Sequence, residues 1–136
     1  MTPHLRGNVR GISADGRRVW LLMERRRGSR MIGIDARTGT RTASVSVPAN
    51  AGVLAAGHGR VWVGTLCGGP TCRLERAAVR GYDAAGRLVA GPFLPWNACR
   101  RRLPRSSPLF LSGIAATPGG VSLPVGDGHD GVQVVL

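Results

Sequence analysis

Three cysteines have the spacing that most directly suggests chemistry in this sequence. Cys67 and Cys72 flank a Gly-Gly-Pro turn that could bring their sulfurs together in a small disulfide loop, and Cys72 with Cys99 is the alternative pair. Three unlinked thiols are the third interpretation, because no secretory signal is present to place the chain in an oxidising compartment. The C-x4-C spacing is not that of a zinc knuckle, and His58 falls in a predicted tight turn, so structural zinc is not expected.

A second group of reactive side chains lies near the C-terminus, where Asp127, His129 and Asp130 alternate with glycines. Their carboxylates and backbone oxygens could hold a divalent cation, but the run is more typical of a flexible turn between two strands. Ser112 could form a triad with His129 and Asp127, yet no nucleophile-elbow sequence surrounds any serine. We therefore expect no catalytic residues, no metal site and no cofactor.

Arginine dominates the charge of the chain. All 19 basic residues are Arg, against 7 acidic residues, which gives a net charge of +12. Two runs of three arginines, followed by Arg30 and Arg105 respectively, fall in predicted loops, where guanidinium groups could bind phosphate bidentately. A solvated surface shaped by codon bias is the competing interpretation, since only 4% of residues are aromatic. The candidate polyanion-binding residues are Arg25, Arg26, Arg27, Arg100, Arg101, Arg102 and Arg105.

The overall composition excludes several classes of protein. With 43% hydrophobic residues spread along 136 positions, the chain has enough apolar content for a core and is too apolar for a wholly disordered protein. No window approaches the roughly 18 apolar residues of a membrane span. As written, the chain is expected to be cytoplasmic, or extracytoplasmic if it is a fragment of a longer exported protein.

An internal repeat organises the chain. Residues 11–20 align without gaps on residues 53–62, and a weaker third copy follows at 113–122. Each copy places a turn with Gly or Pro between two short apolar runs, which predicts a tight β-hairpin. Further on, residues 31–39 correspond to residues 79–86: a strand, an Asp that can hydrogen-bond its own turn, and a Gly that supplies a positive φ.

The repeat predicts an all-β chain of four-stranded antiparallel units. A helix competes only at 71–80, where apolar residues also fall at helical spacing. The third unit has three predicted strands and lacks the fourth. The predicted strands are 9–14, 17–24, 30–35 and 40–47 in the first unit; 51–56, 60–66, 77–83 and 87–94 in the second; and 110–116, 120–125 and 131–135 in the third.

Four short strands in about 42 residues is the blade period of a β-propeller. The runs Arg18-Val19-Trp20-Leu21 and Gly59-Arg60-Val61-Trp62-Val63, together with Ile34-Asp35-Ala36-Arg37-Thr38-Gly39, carry a closer resemblance. They resemble the blade motifs of seven-bladed propellers of the YncE and virginiamycin B lyase type and of related quinoprotein-like repeats.

The resemblance implies an incomplete β-propeller. Residues 9–50 would form the first blade, residues 51–95 a second blade with a Cys-bearing insertion at 65–77, residues 96–109 a connecting loop, and residues 110–136 a partial third blade. Such a chain cannot close a ring, so its end blades would present apolar sheet faces to water. Missing blades, a protein partner or further copies of the chain would have to cover those faces, unless the weak third unit packs as an irregular cap.

The expected function is that of a non-enzymatic propeller module, a scaffold or a ligand- or partner-binding unit within a larger bacterial protein. A fragment of a lyase-type propeller enzyme is one alternative. The His and Glu that such lyases use beside a magnesium ion have no matching positions in this sequence, so the resemblance does not transfer the activity. A basic polyanion-binding domain is the other alternative.

Overall fold

The computed structural model describes residues 6–49, 51–65, 78–93, 110–111, 114–126 and 131–135. Within these ranges every regular element is a β-strand, and there is no helix that could cross a membrane. The prediction of an all-β chain with antiparallel four-stranded sheets is confirmed. The strands are β1 (Asn8–Asp15), β2 (Arg18–Arg25), β3 (Gly28–Asp35), β4 (Arg41–Val47), β5 (Ala51–Gly57), β6 (Arg60–Thr65), β7 (Val79–Asp83), β8 (Leu88–Phe93), β9 (Phe110–Leu111), β10 (Ala115–Thr117), β11 (Gly120–Gly126) and β12 (Gly131–Val135).

The first sheet contains β1 to β4 in chain order, each strand antiparallel to the next. Its centre is the pair β2 and β3, which stays in register along the whole length of both strands. Successive side chains of a strand point to opposite faces of the sheet, so a strand that is apolar at consecutive positions must be covered on both sides. β2 is such a strand, because residues 20–23 are all buried.

The second sheet contains β5 to β8 in the same order. Trp62 on β6 lies opposite Gly81 on β7, just as Trp20 on β2 lies opposite Gly33 on β3. β6 is also buried at consecutive positions, over residues 61–65. The two sheets therefore share both their strand order and the placement of their central tryptophan.

The third sheet is shorter and less regular. β11 pairs with β12 along one edge, while β9 and β10 both pair with it along the other, Leu111 opposite Val125 and Ala115 opposite Ser122. The single strand predicted over 110–116 is therefore divided into two. The described part of this sheet therefore has β12 at one edge and β11 in the centre. At the other edge, β9 and β10 lie end to end along β11.

A buried apolar cluster fills the space between the first two sheets. Alternation places Trp20 and Leu22 of β2 on the face that meets Val61 and Val63 of β6. Each large side chain that is fully buried there contributes roughly 1.5–3 kcal/mol to folding. Burial also raises the pKa of the Tyr82 phenol, which stays neutral. The cluster consists of Trp20, Leu22, Met31, Ala43, Val47, Ala51, Val61, Val63 and Tyr82, with Val45, Leu54 and Ala56 packed against it.

The opposite face of the first sheet carries a second cluster. Leu21, Met23 and Ile32 are exposed by only 8%, 0% and 0% of their surface, and Val19 and Ile34 pack against them. The sequence led us to expect this face of the first unit to meet water, and at these three residues it does not.

Within the part of the chain that the structure describes, the exposed large apolar side chains lie on two edge strands. Val9 and Ile12 of β1 are 54% and 67% exposed, and Leu88, Val89 and Phe93 of β8 are 51%, 47% and 37% exposed. β1 is the first strand of its sheet and β8 is the last strand of the next one. The uncovered apolar side chains thus lie at opposite edges of the two sheets.

The sheets contact one another mainly through edge strands, with β1 of the first sheet against β5 of the second and β5 against β10 of the third. The backbone N–H of Ala56 on β5 donates a hydrogen bond of 2.9 Å to the hydroxyl of Ser13 on β1. A Cβ atom added at Gly57 would lie 2.9 Å from the Cβ of Ala116 on β10. The contact between the first and second sheets, here called the first seam, is therefore hydrogen-bonded. The contact between the second and third sheets, the second seam, depends on the absence of a side chain at Gly57.

Thr65 closes the base of the insertion in the second sheet. Its hydroxyl oxygen accepts a 2.6 Å hydrogen bond from the N–H of Ala78, and its own N–H donates to the Ala78 carbonyl at 3.0 Å. The strand predicted at 77–83 is confirmed over Val79–Asp83, so the helical alternative is wrong for residues 79–80. Residues 66–77, which make up most of the predicted insertion, lie outside the described residues.

Each central tryptophan lies over a glycine of the neighbouring strand. A Cβ atom added at Gly81 would lie 2.7 Å from the Trp62 ring, and one added at Gly33 would lie 3.0 Å from the Trp20 ring. At Gly81 only glycine leaves the Trp62 ring in its buried position, because real Cβ atoms do not approach a ring so closely, while a Cβ at Gly33 would require the Trp20 ring to shift by a few tenths of an ångström.

We predict that Gly81→Ala lowers the free energy of unfolding by about 1–3 kcal/mol, since the new methyl group must displace the Trp62 ring from a filled core. Urea denaturation followed by tryptophan fluorescence measures the change. The matched control is Gly119→Ala, where an added Cβ meets nothing within 4 Å. Equal unfolding midpoints for the two variants would show that the Trp62 ring is not held against Gly81.

Candidate functional site

A pocket of about 240 Å³ lies where the first and second sheets meet. Because antiparallel strands alternate in direction, the turns β1–β2, β3–β4, β5–β6 and β7–β8 all lie at one end of the two sheets. Each of these four turns, or the strand end beside it, contributes to the pocket wall. The pocket is lined by Asp15, Arg17, Arg18, Trp20, Asp35, Gly59, Arg60 and Ala84.

Asp15 joins the two sheets at the pocket wall. It ends β1, and its carboxylate accepts a 2.8 Å hydrogen bond from the backbone N–H of Gly59 in the β5–β6 turn. In the sequence, Asp15 falls in the predicted hairpin turn between the two apolar runs of residues 11–20. In the structure, its carboxylate binds the backbone of the neighbouring β5–β6 hairpin instead. The hydrogen bond between Ser13 and Ala56 joins the same two hairpins.

The β5–β6 turn has the backbone geometry of a tight hairpin. His58 and Gly59 both have positive φ angles, 53° and 77°. Two consecutive residues with positive φ are characteristic of a type I′ turn, whose twist matches that of the flanking strands. Within the described residues, His58 is the one non-glycine residue with a positive φ, and it holds the strained position beside the amide that donates to Asp15.

Asp35 organises the β3–β4 turn as predicted. Its Oδ1 accepts hydrogen bonds from the backbone N–H groups of Arg37 and Thr38, at 2.8 and 3.2 Å, and Gly39 has a φ of 71°. The amide of Arg37, then that of Thr38, and the nearby Arg17 hold the pKa of Asp35 below its usual value. The second carboxylate oxygen accepts a 3.2 Å bond from Arg17, so both oxygens are occupied.

Asp83 makes the same turn in the second sheet. Its Oδ1 accepts hydrogen bonds of 2.9 Å from the N–H groups of Ala85 and Arg87, and Gly86 has a φ of 84°. The amide of Arg87 is the main cause that lowers the pKa of Asp83. The turn motif read from the sequence at both positions is confirmed.

Three guanidinium groups line the pocket from two sheets. Arg18 donates to the backbone carbonyl of Ala84 in the second sheet, and its guanidinium carbon lies 5.8 Å from the centre of the Trp20 ring. Arg17 is paired with Asp35, and Arg60 at the start of β6 is exposed. The arrangement leaves one guanidinium more than the two carboxylates that line the pocket.

The pocket is equipped to hold charged groups rather than to transfer protons. Arginine stays protonated at all physiological pH values, and the pKa of Asp35 is lowered further from neutrality. Among the described residues, the lining contains no Ser, Thr, Cys, His or Lys that could act as a nucleophile. Across the described part of the chain, no group of three or more His, Cys, Asp or Glu side chains could hold a metal ion.

The first predicted arginine run lies at the end of the first sheet that is opposite to the pocket. Arg25, Arg26 and Arg27 form the β2–β3 turn, with Arg26 and Arg27 exposed and Arg25 partly buried. Arg30 does not join them, because its guanidinium donates to the hydroxyl groups of Ser44 and Ser46 on β4, at 3.1 and 3.2 Å. The arginines that lie together at this turn are therefore Arg25, Arg26 and Arg27, without Arg30.

The remaining predicted sites lie outside the described residues. These are the second arginine run, Arg100, Arg101, Arg102 and Arg105; the cysteines Cys67, Cys72 and Cys99; and the Asp127, His129 and Asp130 group with Ser112.

The sequence did not predict the pocket, because the residues that line it look like ordinary residues beside hairpin turns. Arg17, Arg18 and Arg60 stand beside hairpin turns in a chain with 19 arginines, and nothing marks them as a set. The one signal that could have found them was the alignment of residues 11–20 with 53–62, which places Arg18 and Arg60 at equivalent positions in adjacent units.

We predict that the double variant Asp35→Asn/Asp83→Asn loses part of the acid dependence of stability. A carboxyl group whose pKa is lowered by folding stabilises the native state above its ordinary pKa of 3.8, and this contribution is lost as the pH falls through the folded value. Asn keeps an oxygen that accepts the same bonds but does not titrate. Urea unfolding measured at intervals from about pH 6 to pH 2 should give a flatter curve for the variant. Parallel curves would contradict the assignment.

The pocket and the turns at Asp35 and Asp83 are the features of the described structure that bear on function. In comparisons with known proteins, the chain matches no protein-family model, no curated protein and no solved structure.

Proposed function

We propose that this chain is a non-enzymatic module of the β-propeller type, a binding scaffold that forms part of a larger assembly. The observation that carries the proposal is the stacking of consecutive antiparallel sheets along the chain, with β1 of the first sheet against β5 of the second and β5 against β10 of the third. In a propeller, successive blades meet in this way around a central axis.

The equivalent positions of the two complete sheets support the same conclusion. Trp20 faces the second sheet, where it belongs to the shared apolar cluster. Trp62 does not belong to that cluster and, by strand alternation from Val61 and Val63, lies on the opposite face of its sheet. Each tryptophan thus points onward in chain order, as expected for blades that follow one another in the same orientation.

Exposed apolar side chains on the edge strands support the proposal that the chain associates with other sheets or proteins. Ile12 on β1 and Leu88 on β8 are each more than half exposed, and both belong to edge strands. An exposed edge strand with apolar side chains is prone to associate with another chain. Further sheets or a partner protein with an apolar surface would cover these residues.

Light scattering coupled to size-exclusion chromatography tests the assembly. The isolated chain is expected to show a mass above 14.3 kDa that rises with concentration. Ile12→Thr should reduce this association, while Ala14→Thr, an exposed position on the same strand and face, should not. A folded monomer at every concentration, with or without Ile12→Thr, would contradict the proposal.

A basic polyanion-binding domain is the second candidate, and the exposure of Arg26 and Arg27 favours it. Two exposed guanidinium groups in one turn can each neutralise a phosphate and release a counterion. Their nearest carboxylate in sequence, Glu24, is already paired with Arg10 at 2.6 Å. The turn therefore keeps its positive charge.

Fluorescence anisotropy with heparin or duplex DNA tests this second candidate. The variant Arg26→Ala/Arg27→Ala should weaken binding and reduce the salt slope by about 2, one unit for each phosphate that the turn no longer neutralises. The matched control, Arg37→Ala/Arg41→Ala, removes the same charge at the other end of the first sheet. Equal effects of the two variants, or an affinity that does not change with salt, would exclude the β2–β3 turn as a polyanion site.

A further inference from the structure

We infer that the pocket between the first and second sheets binds a small oxyanion, the carboxylate or phosphate group of a ligand, with Arg60 as its main contact and Arg17 and Arg18 beside it. This deepens the proposed function, since it names a ligand site on the scaffold. A guanidinium group binds both kinds of oxyanion through parallel hydrogen bonds, so the two share one recognition chemistry.

The charge of the pocket favours an anion. Three guanidinium groups face two carboxylates, and both carboxylates already accept backbone hydrogen bonds, Asp15 from Gly59 and Asp35 from Arg37 and Thr38. An amide that donates to a carboxylate reduces the negative potential that the carboxylate presents elsewhere. A ligand with one negative charge would neutralise the excess guanidinium.

Two of the guanidinium groups also have partners within the protein before a ligand arrives. Arg18 lies between the Ala84 carbonyl and the Trp20 ring, and Arg17, whose side chain is 66% exposed, is paired with Asp35 at 3.2 Å. Each guanidinium carries five N–H donors, and these contacts use only a part of them. Donors that are already ordered lose little conformational entropy on binding, which makes the pocket a better anion site than a mobile surface arginine.

The position of the pocket has a mechanical consequence. Arg17 and Arg18 belong to the first sheet, while Arg60 belongs to the second. An oxyanion that contacts residues of both sheets binds the native stack and not the unfolded chain, so it must raise the stability of the stack. Thermal stabilisation is therefore an independent sign of binding at this place.

The test is a nuclear magnetic resonance titration of the ¹⁵N-labelled full chain with inorganic phosphate and, separately, with acetate, at constant ionic strength kept with sodium chloride. Saturable shifts are expected for the Gly59 amide and for the arginine Nε signals of the pocket, together with a higher melting temperature. Saturation by phosphate alone assigns a phosphate ligand, saturation by acetate alone assigns a carboxylate ligand, and saturation by both assigns a general oxyanion site. Saturation by neither would overturn the inference.

The deciding variant is Arg60→Gln, which keeps the polar side chain of an exposed position and removes its charge. It should weaken binding by about tenfold or more, as expected for losing a hydrogen bond to a charged group, and reduce the thermal stabilisation at each ligand concentration accordingly. Arg26→Gln, an exposed arginine at the opposite end of the sheet, should bind like the wild type. Unchanged affinity in Arg60→Gln, or linear shifts that are alike in both variants, would overturn the inference.

The outcome is separable from that of the proposed function. A chain that remains a monomer in light scattering can still bind phosphate or acetate in this pocket. A chain that associates but shows no saturable shift would keep its role as a scaffold and lose the oxyanion site.

Discussion

An antiparallel sheet whose central strands are apolar at consecutive residues cannot remain folded with either face in water. β2 and β6 are both such strands, buried over residues 20–23 and 61–65. Neither sheet can satisfy this requirement alone, so each must be stacked against another layer. The seam between the sheets, the position of the turns at one end and the pocket between those turns all follow from this need for cover.

The sequence predicts the elements well, because they depend on neighbouring residues. The strands followed from apolar runs separated by turns, and the turns at Asp35 and Asp83 followed from an Asp that bonds its own backbone ahead of a Gly. The division of the third sheet's first strand into β9 and β10 was not predicted, although Gly113 lies between them in sequence and an isolated glycine within a strand pattern is a signal of such a break.

The candidate site could not be predicted from the same signals. Its residues come from four turns on two sheets, and their convergence depends on how the sheets are stacked rather than on local pattern. The direction of Arg30 illustrates the same limit: in sequence it stands next to the arginine run, but on β3 its side chain points across the sheet to Ser44 and Ser46. Proximity in sequence therefore grouped arginines that the fold separates and overlooked those that it brings together.

Two of the hydrogen bonds across the first seam join β1 to the β5–β6 hairpin and run in the same direction, while the bond from Arg18 to the Ala84 carbonyl runs in the other. In those two, the acceptors are the side chains of Ser13 and Asp15 of the first sheet, and the donors are backbone groups of the second. In the alignment of the two units, their counterparts are Ala55 and Gly57, which have no oxygen to offer. The second sheet can thus follow the first but cannot take its place, because a seam built from two second sheets would leave those amides without acceptors. Two sheets that differ at these positions cannot exchange places without losing those hydrogen bonds, so the side chains of β1 help to fix which sheet packs against which.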